Sequence, residues 1–195
     1  KDKLDEVVES VLLAEYYGFK TLKLNCVIMK GINDDEILDF AGFVKDRNIN
    51  LRFIEYMPFS GNGWHEGKFL PYSGIKKIVE SEYVLLPDGD SSGNVEENFL
   101  IKGHIGKVGF ISSLSNHFCG SCSRLRVTSE GYLKLCLFSS KSDEADLKQY
   151  LRADHLTDRE IADKIQSKLL KKKYSHPGTG ELLQMEKNSM LSIGG

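Results

Sequence analysis

The stretch from His117 to Cys136 constrains this chain more than any other, because it holds three of the four cysteines with two arginines between them. Two residues separate Cys119 from Cys122, and thirteen separate Cys122 from Cys136. Two thiolates at C-x-x-C spacing can bind one metal centre, since the turn between them points both sulfurs the same way. The conformation of the segment between Cys122 and Cys136 determines whether the third cysteine can bind the same metal centre.

Two alternating segments predict that path. Residues 123–128 and 132–137 alternate in polarity, and Ser-Glu-Gly occupies positions 129–131 between them. This pattern is typical of a β-hairpin whose short loop needs a glycine with positive φ. A three-residue loop pairs Thr128 with Tyr132, whereas a glycine bulge would move this register by one residue.

That register has consequences for the two arginines. Arg126 is expected opposite Lys134, and Arg124 opposite Cys136, which would return Cys136 to the vicinity of Cys122. Both guanidinium groups would then share one face with the cysteines. The other face is predicted to be buried and consists of Leu125, Val127, Leu133, Leu135 and Leu137.

Three cysteines leave one coordination position open, and the spacing alone allows three interpretations. A closed zinc site would need a fourth ligand, for which His117 is the local candidate. A [4Fe–4S] cluster held by three cysteines would keep one iron free for another ligand. The third interpretation is a set of reduced thiols in a hydrophobic core.

Charge and cysteine content narrow the class of protein. The chain has 195 residues and a net charge of −2, which argues against a nucleic-acid-binding protein. Its apolar runs are too short for a transmembrane helix. Four cysteines, three of them clustered, indicate a reducing and therefore intracellular compartment rather than a disulfide-stapled secreted domain.

The first part of the chain predicts an α/β fold. An amphipathic helix up to about Tyr17, a strand at 21–29, a helix capped by Asn33 and a strand at 51–57 follow one another. Such βα units form a parallel sheet or barrel. The opening helix has a wide apolar stripe that needs a partner, so we expect the chain to be the C-terminal part of a longer protein.

The second part predicts antiparallel strands at 99–102 and 107–112, the cysteine hairpin, and helices at about 144–152 and 158–173. Thr157 should be the N-cap of the last helix, with Glu160 completing a capping box. The domain boundary is predicted after residue 65, which gives domains 1–65 and 66–195.

Several polar residues of the first two strands suggest a ligand pocket. Lys23 and Asn25 share a face that is normally apolar in a parallel strand, although edge exposure would also explain them. Cys26 falls on the opposite face and is predicted to lie in the core. Arg52 and Glu55 differ in parity, so they would share a pocket only if the strand bulges; otherwise they form a surface ion pair. Residues 171–173, Lys-Lys-Lys, are typical of a solvated helix end.

The motifs resemble one known family. The segment 116–128, Asn-His-Phe-Cys-Gly-Ser-Cys-Ser-Arg-Leu-Arg-Val-Thr, continuing to Cys136 and Leu137, is similar to the C-terminal cluster motif of the MoaA-type radical SAM enzymes, the GTP 3′,8-cyclase family of molybdenum cofactor biosynthesis. Further matching segments are Lys-Leu-Asn at 23–25, Arg-Phe-Ile-Glu-Tyr-Met-Pro-Phe at 52–59, Gly-Asn-Gly-Trp at 61–64, Gly-Lys-Val-Gly-Phe-Ile at 106–111, and the terminal Gly-Gly at 194–195.

The resemblance implies a fold and a set of cofactors. It implies the C-terminal portion of an incomplete (β/α)6 radical SAM barrel, followed by an antiparallel α+β cluster-binding domain. Family members carry two [4Fe–4S] clusters. The N-terminal cluster cleaves S-adenosyl-L-methionine, and the C-x-x-x-C-x-x-C loop that holds it does not occur in this sequence.

The resemblance also implies roles for individual residues. Cys119, Cys122 and Cys136 would bind the second cluster, whose open iron would take the guanine of GTP. The residues implied in catalysis are Arg124, Arg126, Gly194 and Gly195. Those implied in binding S-adenosyl-L-methionine or GTP are Lys23, Asn25, Arg52 and Met57.

The expected function is therefore that of the substrate-binding part of an enzyme that converts GTP to 3′,8-cyclo-7,8-dihydro-GTP. The expected partners are GTP, an N-terminal radical SAM half and, as one option, a second copy of the chain. Without the N-terminal cluster this chain alone should be inactive. The expected compartment is the cytoplasm, or the mitochondrial matrix in a eukaryote. A structural zinc module and the auxiliary-cluster domain of another radical SAM enzyme are the competing hypotheses.

Overall fold

A computed structural model of the chain describes residues 3–89, 95–116 and 119–184. The chain divides into two compact units. The first, called the sheet unit here, comprises residues 1–56 and 66–116, and the second, the cysteine unit, comprises residues 57–65 and 117–195. Within the described ranges, no helix is long and apolar enough to cross a membrane.

The sheet unit is an α/β structure built on one mixed sheet. Its elements are α1 (Leu4–Tyr16), β1 (Leu22–Ile28), α2 (Ile37–Phe43), β2 (Ile49–Glu55), α3 (Tyr72–Glu80), β3 (Leu85–Pro87), β4 (Glu97–Ile101) and β5 (Lys107–Ile111). The strand order is β1-β2-β5-β4-β3. Strands β1, β2 and β5 are parallel, whereas β3 and β4 are antiparallel to their neighbours.

This topology confirms the predicted βα order but adds a pairing that the sequence did not reveal. The antiparallel pairing of β4 with β5 agrees with the prediction. In addition, β5 lies beside β2 in parallel register, with Phe53 aligned to Phe110. The two later strands therefore extend the sheet that β1 and β2 begin.

One face of the sheet carries the hydrophobic core with α2 and α3. Along β1, residues 22, 24, 26 and 28 turn toward this core and residues 23, 25 and 27 are exposed, as the alternation predicts. Cys26 is among the side chains packed against the core, which confirms its assignment. Fully buried members include Ile28, Ile37, Ala41, Val44, Phe53, Ile75, Val79, Val108 and Phe110.

The helix after β1 begins later than predicted because Asn33 has a different role. Its Oδ1 accepts a hydrogen bond from the Met29 amide (2.8 Å), and its Nδ2 donates to the Val27 carbonyl (3.0 Å). The side chain closes the loop after β1 and makes no hydrogen bond as a helix cap. The α-helix proper starts only at Ile37.

In its described part, the cysteine unit contains a small antiparallel sheet and three α-helices. They are β6 (Arg126–Val127), β7 (Tyr132–Lys134), β8 (Ala145–Asp146), α4 (Leu147–Leu151), α5 (Asp158–Leu169) and α6 (Thr179–Gln184), with the strand order β6-β7-β8. The capping box of Thr157 and Glu160 is confirmed at the start of α5. Both predicted helices are shorter than expected, and α5 ends at Leu169.

The predicted hairpin register is confirmed. Arg126 pairs with Lys134, and the Thr128 amide donates to the Tyr132 carbonyl at 2.9 Å. Gly131 has φ +85°, the left-handed conformation that the loop requires. The ladder is only two residues long on β6, so Arg124 and Cys136 lie beyond its end.

The predicted division into buried and exposed faces is wrong in part. Leu133 and Leu135 are buried, but Leu125 and Val127 are 44% and 59% exposed. Lys134, expected on the polar face, is 1% exposed. β7 is the central strand of the three-stranded sheet, so its side chains are covered more fully than those of the two-residue edge strand β6. The ammonium of Lys134 is accommodated there because it contacts the Glu144 carboxylate and donates to the Ser139 carbonyl (3.0 Å).

We expect Lys134→Met to destabilise the chain by about 3–5 kcal/mol, because it removes the buried cation that contacts the Glu144 carboxylate. The double variant Lys134→Met/Glu144→Leu should lose less than the single variant, since no uncompensated charge remains. Urea unfolding followed by circular dichroism measures both free energies. As a control, Lys3→Met breaks an exposed pair with Glu6 and should cost less than about 1 kcal/mol. Equal losses for the buried and exposed lysines would contradict the prediction.

Candidate functional site

The C-x-x-C segment forms a tight turn. Cys119 begins a single turn of 3-10 helix, and the Cys122 amide donates to the Cys119 carbonyl at 3.1 Å. Cys136 lies in a second turn, where its carbonyl accepts from the amide (3.2 Å) and the hydroxyl (2.8 Å) of Ser139. All three thiols are free and partly buried. The local backbone thus fixes each cysteine separately.

The Cys136 thiol lies within the electrostatic influence of the other two cysteines. Burial raises the pKa of the Cys136 thiol, and the charges of Cys119 and Cys122 raise that pKa further. A hydrogen bond from the Phe138 amide and the charge of Lys172 lower it. The hairpin therefore returns Cys136 to the electrostatic neighbourhood of the C-x-x-C turn, as the sequence predicted.

Arg126 is partly buried in this neighbourhood, whereas Arg124 is exposed. Burial lowers the pKa of the Arg126 guanidinium, and the charge of Arg124 lowers it further. The thiols of Cys122 and Cys136 raise the same pKa, because their anions favour the cation. The structure thus brings both predicted arginines together with the cysteines.

The fit of these residues to a metal centre rests on their chemistry. The charges of Cys119 and Cys122 act on the ionisation of Cys136, and three cysteines with cations beside them are the donor set of a thiolate-bound centre. Among residues 3–89, 95–116 and 119–184, however, no three His, Cys, Asp or Glu side chains are arranged so that they could hold a metal ion. His117, the candidate fourth zinc ligand, lies outside the described residues.

Lys172 belongs to the same cluster of charges, although the sequence predicted only a solvated lysine run. Its ammonium donates to the Arg124 carbonyl at 2.7 Å and lies 3.8 Å from the Cys122 sulfur. Lys171 and Lys173 are exposed, as expected. No local pattern distinguishes Lys172 from its neighbours, because both of its contacts are about fifty residues away along the chain.

In the sheet unit, Lys23 and Arg52 share one carboxylate. The Glu96 carboxylate lies 3.4 Å from the Lys23 ammonium and 3.7 Å from the Arg52 guanidinium, and its side chain is 5% exposed. Asn25 is aligned with Arg52 across the strands and lies on the same face. The three predicted binding residues of this sheet are therefore neighbours. Glu96 was missed, because a single acidic residue in a polar loop carries no periodic signal.

Hydrogen-bonding groups remain unused on this polar face. The side-chain Nδ2 of Asn50 donates to Asn98 Oδ1 at 3.1 Å. Asn50 Oδ1 and Arg52 Nε, however, are buried without a partner among the described residues. Gly109 makes this arrangement possible, because a Cβ there would lie 2.6 Å from Asn98 Oδ1. Buried polar atoms without partners are uncommon and mark a place where a ligand or water would be stabilised.

Glu55 lies on the opposite face of β2 from Arg52, as their parity predicts for a strand without a bulge, so the alternative of a surface ion pair between them is wrong. Its carboxylate is 1% exposed and accepts hydrogen bonds from the amides of Tyr72 (2.7 Å), Leu114 (2.8 Å) and Ser115 (3.0 Å). It therefore connects the start of α3 to the loop after β5. A buried carboxylate that receives several amide hydrogen bonds has a structural role.

Met57 lies in the cysteine unit, at the start of a loop organised by Asn62. The Asn62 side chain donates to the Met57 carbonyl (2.8 Å) and accepts from the Trp64 amide (3.2 Å). This explains the Gly-Asn-Gly-Trp motif in physical terms, because the asparagine closes the turn. Gly194 and Gly195, the remaining predicted site residues, lie outside the described residues.

The comparisons with known proteins agree with these motifs. The sequence model of a family described as Molybdenum Cofactor Synthesis C matches residues 49–177. "Molybdenum cofactor biosynthesis protein 1" of Dictyostelium discoideum is 41% identical over 97% of this chain and 30% of its own length. "GTP 3′,8-cyclase, mitochondrial" of Arabidopsis thaliana is 38% identical over 98% of this chain and 48% of its own. "GTP 3′,8-cyclase" of Listeria monocytogenes is 47% identical over 70% of this chain and 42% of its own. The chain thus spans less than half the length of these relatives.

We expect Cys26 to be alkylated slowly in the folded chain. Burial and then the charge of Glu36 raise the pKa of its thiol to about 11. Only about one Cys26 thiol in a thousand is therefore ionised at pH 8, and the fraction grows only as the pH approaches 11. Iodoacetamide labelling at pH 8 with peptide mass spectrometry measures the rate, and labelling in urea provides the reference. A native Cys26 that reacts as fast as it does in urea would contradict the burial.

Proposed function

Because the chain belongs to the Molybdenum Cofactor Synthesis C family, we propose that it is the C-terminal, substrate-binding part of a GTP 3′,8-cyclase. Relatives that carry this name match 70–98% of the chain and support the assignment. Together with an N-terminal radical SAM half, it would convert GTP to 3′,8-cyclo-7,8-dihydro-GTP. The observation that carries the proposal is the match of the family model to residues 49–177, which include all three cysteines and both arginines of the cysteine unit.

In this proposal Cys119, Cys122 and Cys136 hold a [4Fe–4S] cluster. Such a cluster, when bound by three cysteines, offers one open iron to which the guanine of GTP can bind. The cysteine unit provides the thiolates from two separate turns joined by a hairpin. The cations around the thiols offset the negative charge that the ligands bring.

Arg124 and Arg126 are the residues that would bind the triphosphate of GTP. A planar guanidinium can donate two parallel hydrogen bonds to phosphate oxygens, and these are stronger when water is excluded. Arg126 is partly buried and therefore partly desolvated, whereas Arg124 is exposed. Holding the base at the cluster and the phosphates at the arginines would present the ribose in a fixed orientation.

The sheet unit would carry its own residues for S-adenosyl-L-methionine or GTP. The parallel strands β1, β2 and β5 are consistent with the C-terminal portion of an incomplete (β/α)6 radical SAM barrel. Lys23, Asn25 and Arg52 would line its lumen, where Asn50 Oδ1 and Arg52 Nε have no partner among the described residues. Met57 would contact the adenosine, and the terminal glycines would reach the active site.

The full activity would need components beyond the residues described above. A second [4Fe–4S] cluster and its radical chemistry belong to an N-terminal half, so this chain alone should not cyclise GTP. A second copy of the chain could form a homodimer. Oxygen-sensitive clusters need a reducing compartment, which would be the cytoplasm or the mitochondrial matrix. In the same proposal, a domain boundary after residue 65 separates the barrel portion from the cluster-binding domain.

We expect the chain to contain about four irons after anaerobic reconstitution, and GTP to perturb the EPR signal of the reduced protein.

Arg124→Ala and Arg126→Ala should each weaken GTP binding about 10- to 100-fold, because each removes a charge-assisted hydrogen bond to phosphate. Equilibrium dialysis with GTP under anaerobic conditions measures this. Arg159→Ala, on the exposed side of α5, is the matched control and should leave the affinity unchanged.

Two results would contradict the proposal. Zinc in place of iron, with no effect of GTP, would favour a structural zinc module. A reconstituted cluster with unchanged GTP affinity in both arginine variants would indicate instead that the chain is the cluster domain of a different radical SAM enzyme.

A further inference from the structure

The segment that follows α5 lies against both turns that carry the cysteines. Three alternate residues of this segment, Lys172, Tyr174 and His176, make these contacts. A Cβ at Gly120, inside the C-x-x-C turn, would lie 2.7 Å from the Tyr174 hydroxyl oxygen. The His176 ring packs edge-on against Phe138, two residues after Cys136, with ring centroids 5.1 Å apart. The segment 172–176 is therefore a part of the cysteine site.

Lys172 makes the most specific of these contacts. Its ammonium donates to the Arg124 carbonyl at 2.7 Å and lies 3.8 Å from the Cys122 sulfur. Its own amide donates to the Leu169 carbonyl at 3.0 Å in the last turn after α5. The side chain is thus held at both ends, and its charge has a defined position beside one thiol.

A cation at this position has a predictable effect on a thiolate-bound cluster. The reduction potential of an iron–sulfur cluster depends on net charge and on hydrogen bonds to the ligand sulfurs. The reduced cluster carries one more negative charge than the oxidised one, so a fixed ammonium stabilises the reduced form more. The charge of Lys172 also acts on Cys136. The effect therefore extends to both turns.

We propose that Lys172 is a positioning residue of the three-cysteine site: its ammonium donates to the Cys122 sulfur and to the Arg124 carbonyl, and raises the reduction potential of the cluster. This inference rests on the proposed function, because it needs a cluster on these cysteines. It also gives the segment 172–176 a role that its lysine-rich composition does not suggest.

The test uses the anaerobically reconstituted chain and the variants Lys172→Met and Lys172→Arg. Lys171→Met and Lys173→Met are matched controls, since each removes one exposed charge from the same lysine run. An EPR-monitored redox titration gives the midpoint potential, and chemical analysis gives iron per chain. At the potential where the wild-type cluster is half reduced, Lys172→Met should lower the reduced-to-oxidised ratio about tenfold, a shift of about 59 mV to more negative values. Lys172→Arg should keep the midpoint potential close to the wild-type value, and the two control variants should leave the potential unchanged.

The outcomes separate this proposal from the proposed function. A wild-type chain that takes up no iron overturns both. A cluster with GTP-perturbed EPR in the wild type and an unchanged potential in Lys172→Met overturns the Lys172 proposal alone. An unchanged potential with weakened GTP binding would also overturn it, because Lys172 would then be a phosphate ligand. A shift of equal size in Lys171→Met would show only the general effect of net charge, and would overturn it as well.

Discussion

The buried ion pair between Lys134 and Glu144 is the interaction on which the cysteine unit depends. The Lys134 ammonium also donates to the Ser139 carbonyl, and Ser139 in turn donates twice to the carbonyl of Cys136. One buried charge thus holds the turn that carries the third cysteine, and Glu144 connects that turn to β8. Burying two charges is costly unless both are fully paired, so the arrangement favours one conformation of this turn.

The sheet unit uses polar groups in two different ways. Glu55 is satisfied by three amides and joins α3 to the loop after β5. On the opposite face, Asn50 and Arg52 keep unused hydrogen-bonding atoms. The first group stabilises the fold, whereas the second is left with capacity for a ligand. The absence of a side chain at Gly109 leaves room for Asn98, Arg52 and Asn50 on that second face.

The sequence predicted those features that depend on local chemistry. The register of the cysteine hairpin follows from a glycine that must adopt positive φ, the capping box from Thr157 and Glu160, and the burial of Cys26 from alternation. The features it missed depend on partners distant along the chain. The pattern predicts Lys134 to be an exposed strand residue, but in the fold it is buried beside Glu144. Lys172 looks like its two lysine neighbours in the sequence, yet its contacts are distant along the chain. β5 pairs with β2 across more than fifty residues. A periodic pattern identifies an exposed face only when no later segment covers it.

The position of β5 has a consequence for the order in which the chain can fold. β5 is the central strand of its sheet, between β2 and β4, yet it is the last of the five strands to be synthesised. The hydrogen-bonding edge of β2 therefore stays open until residue 111 has emerged, and pairing across that distance is slow. An open edge beside an apolar core is prone to associate with other chains. The three clustered cysteines all follow β5 in the sequence, so in this order of synthesis the sheet can close before the cysteine hairpin is complete.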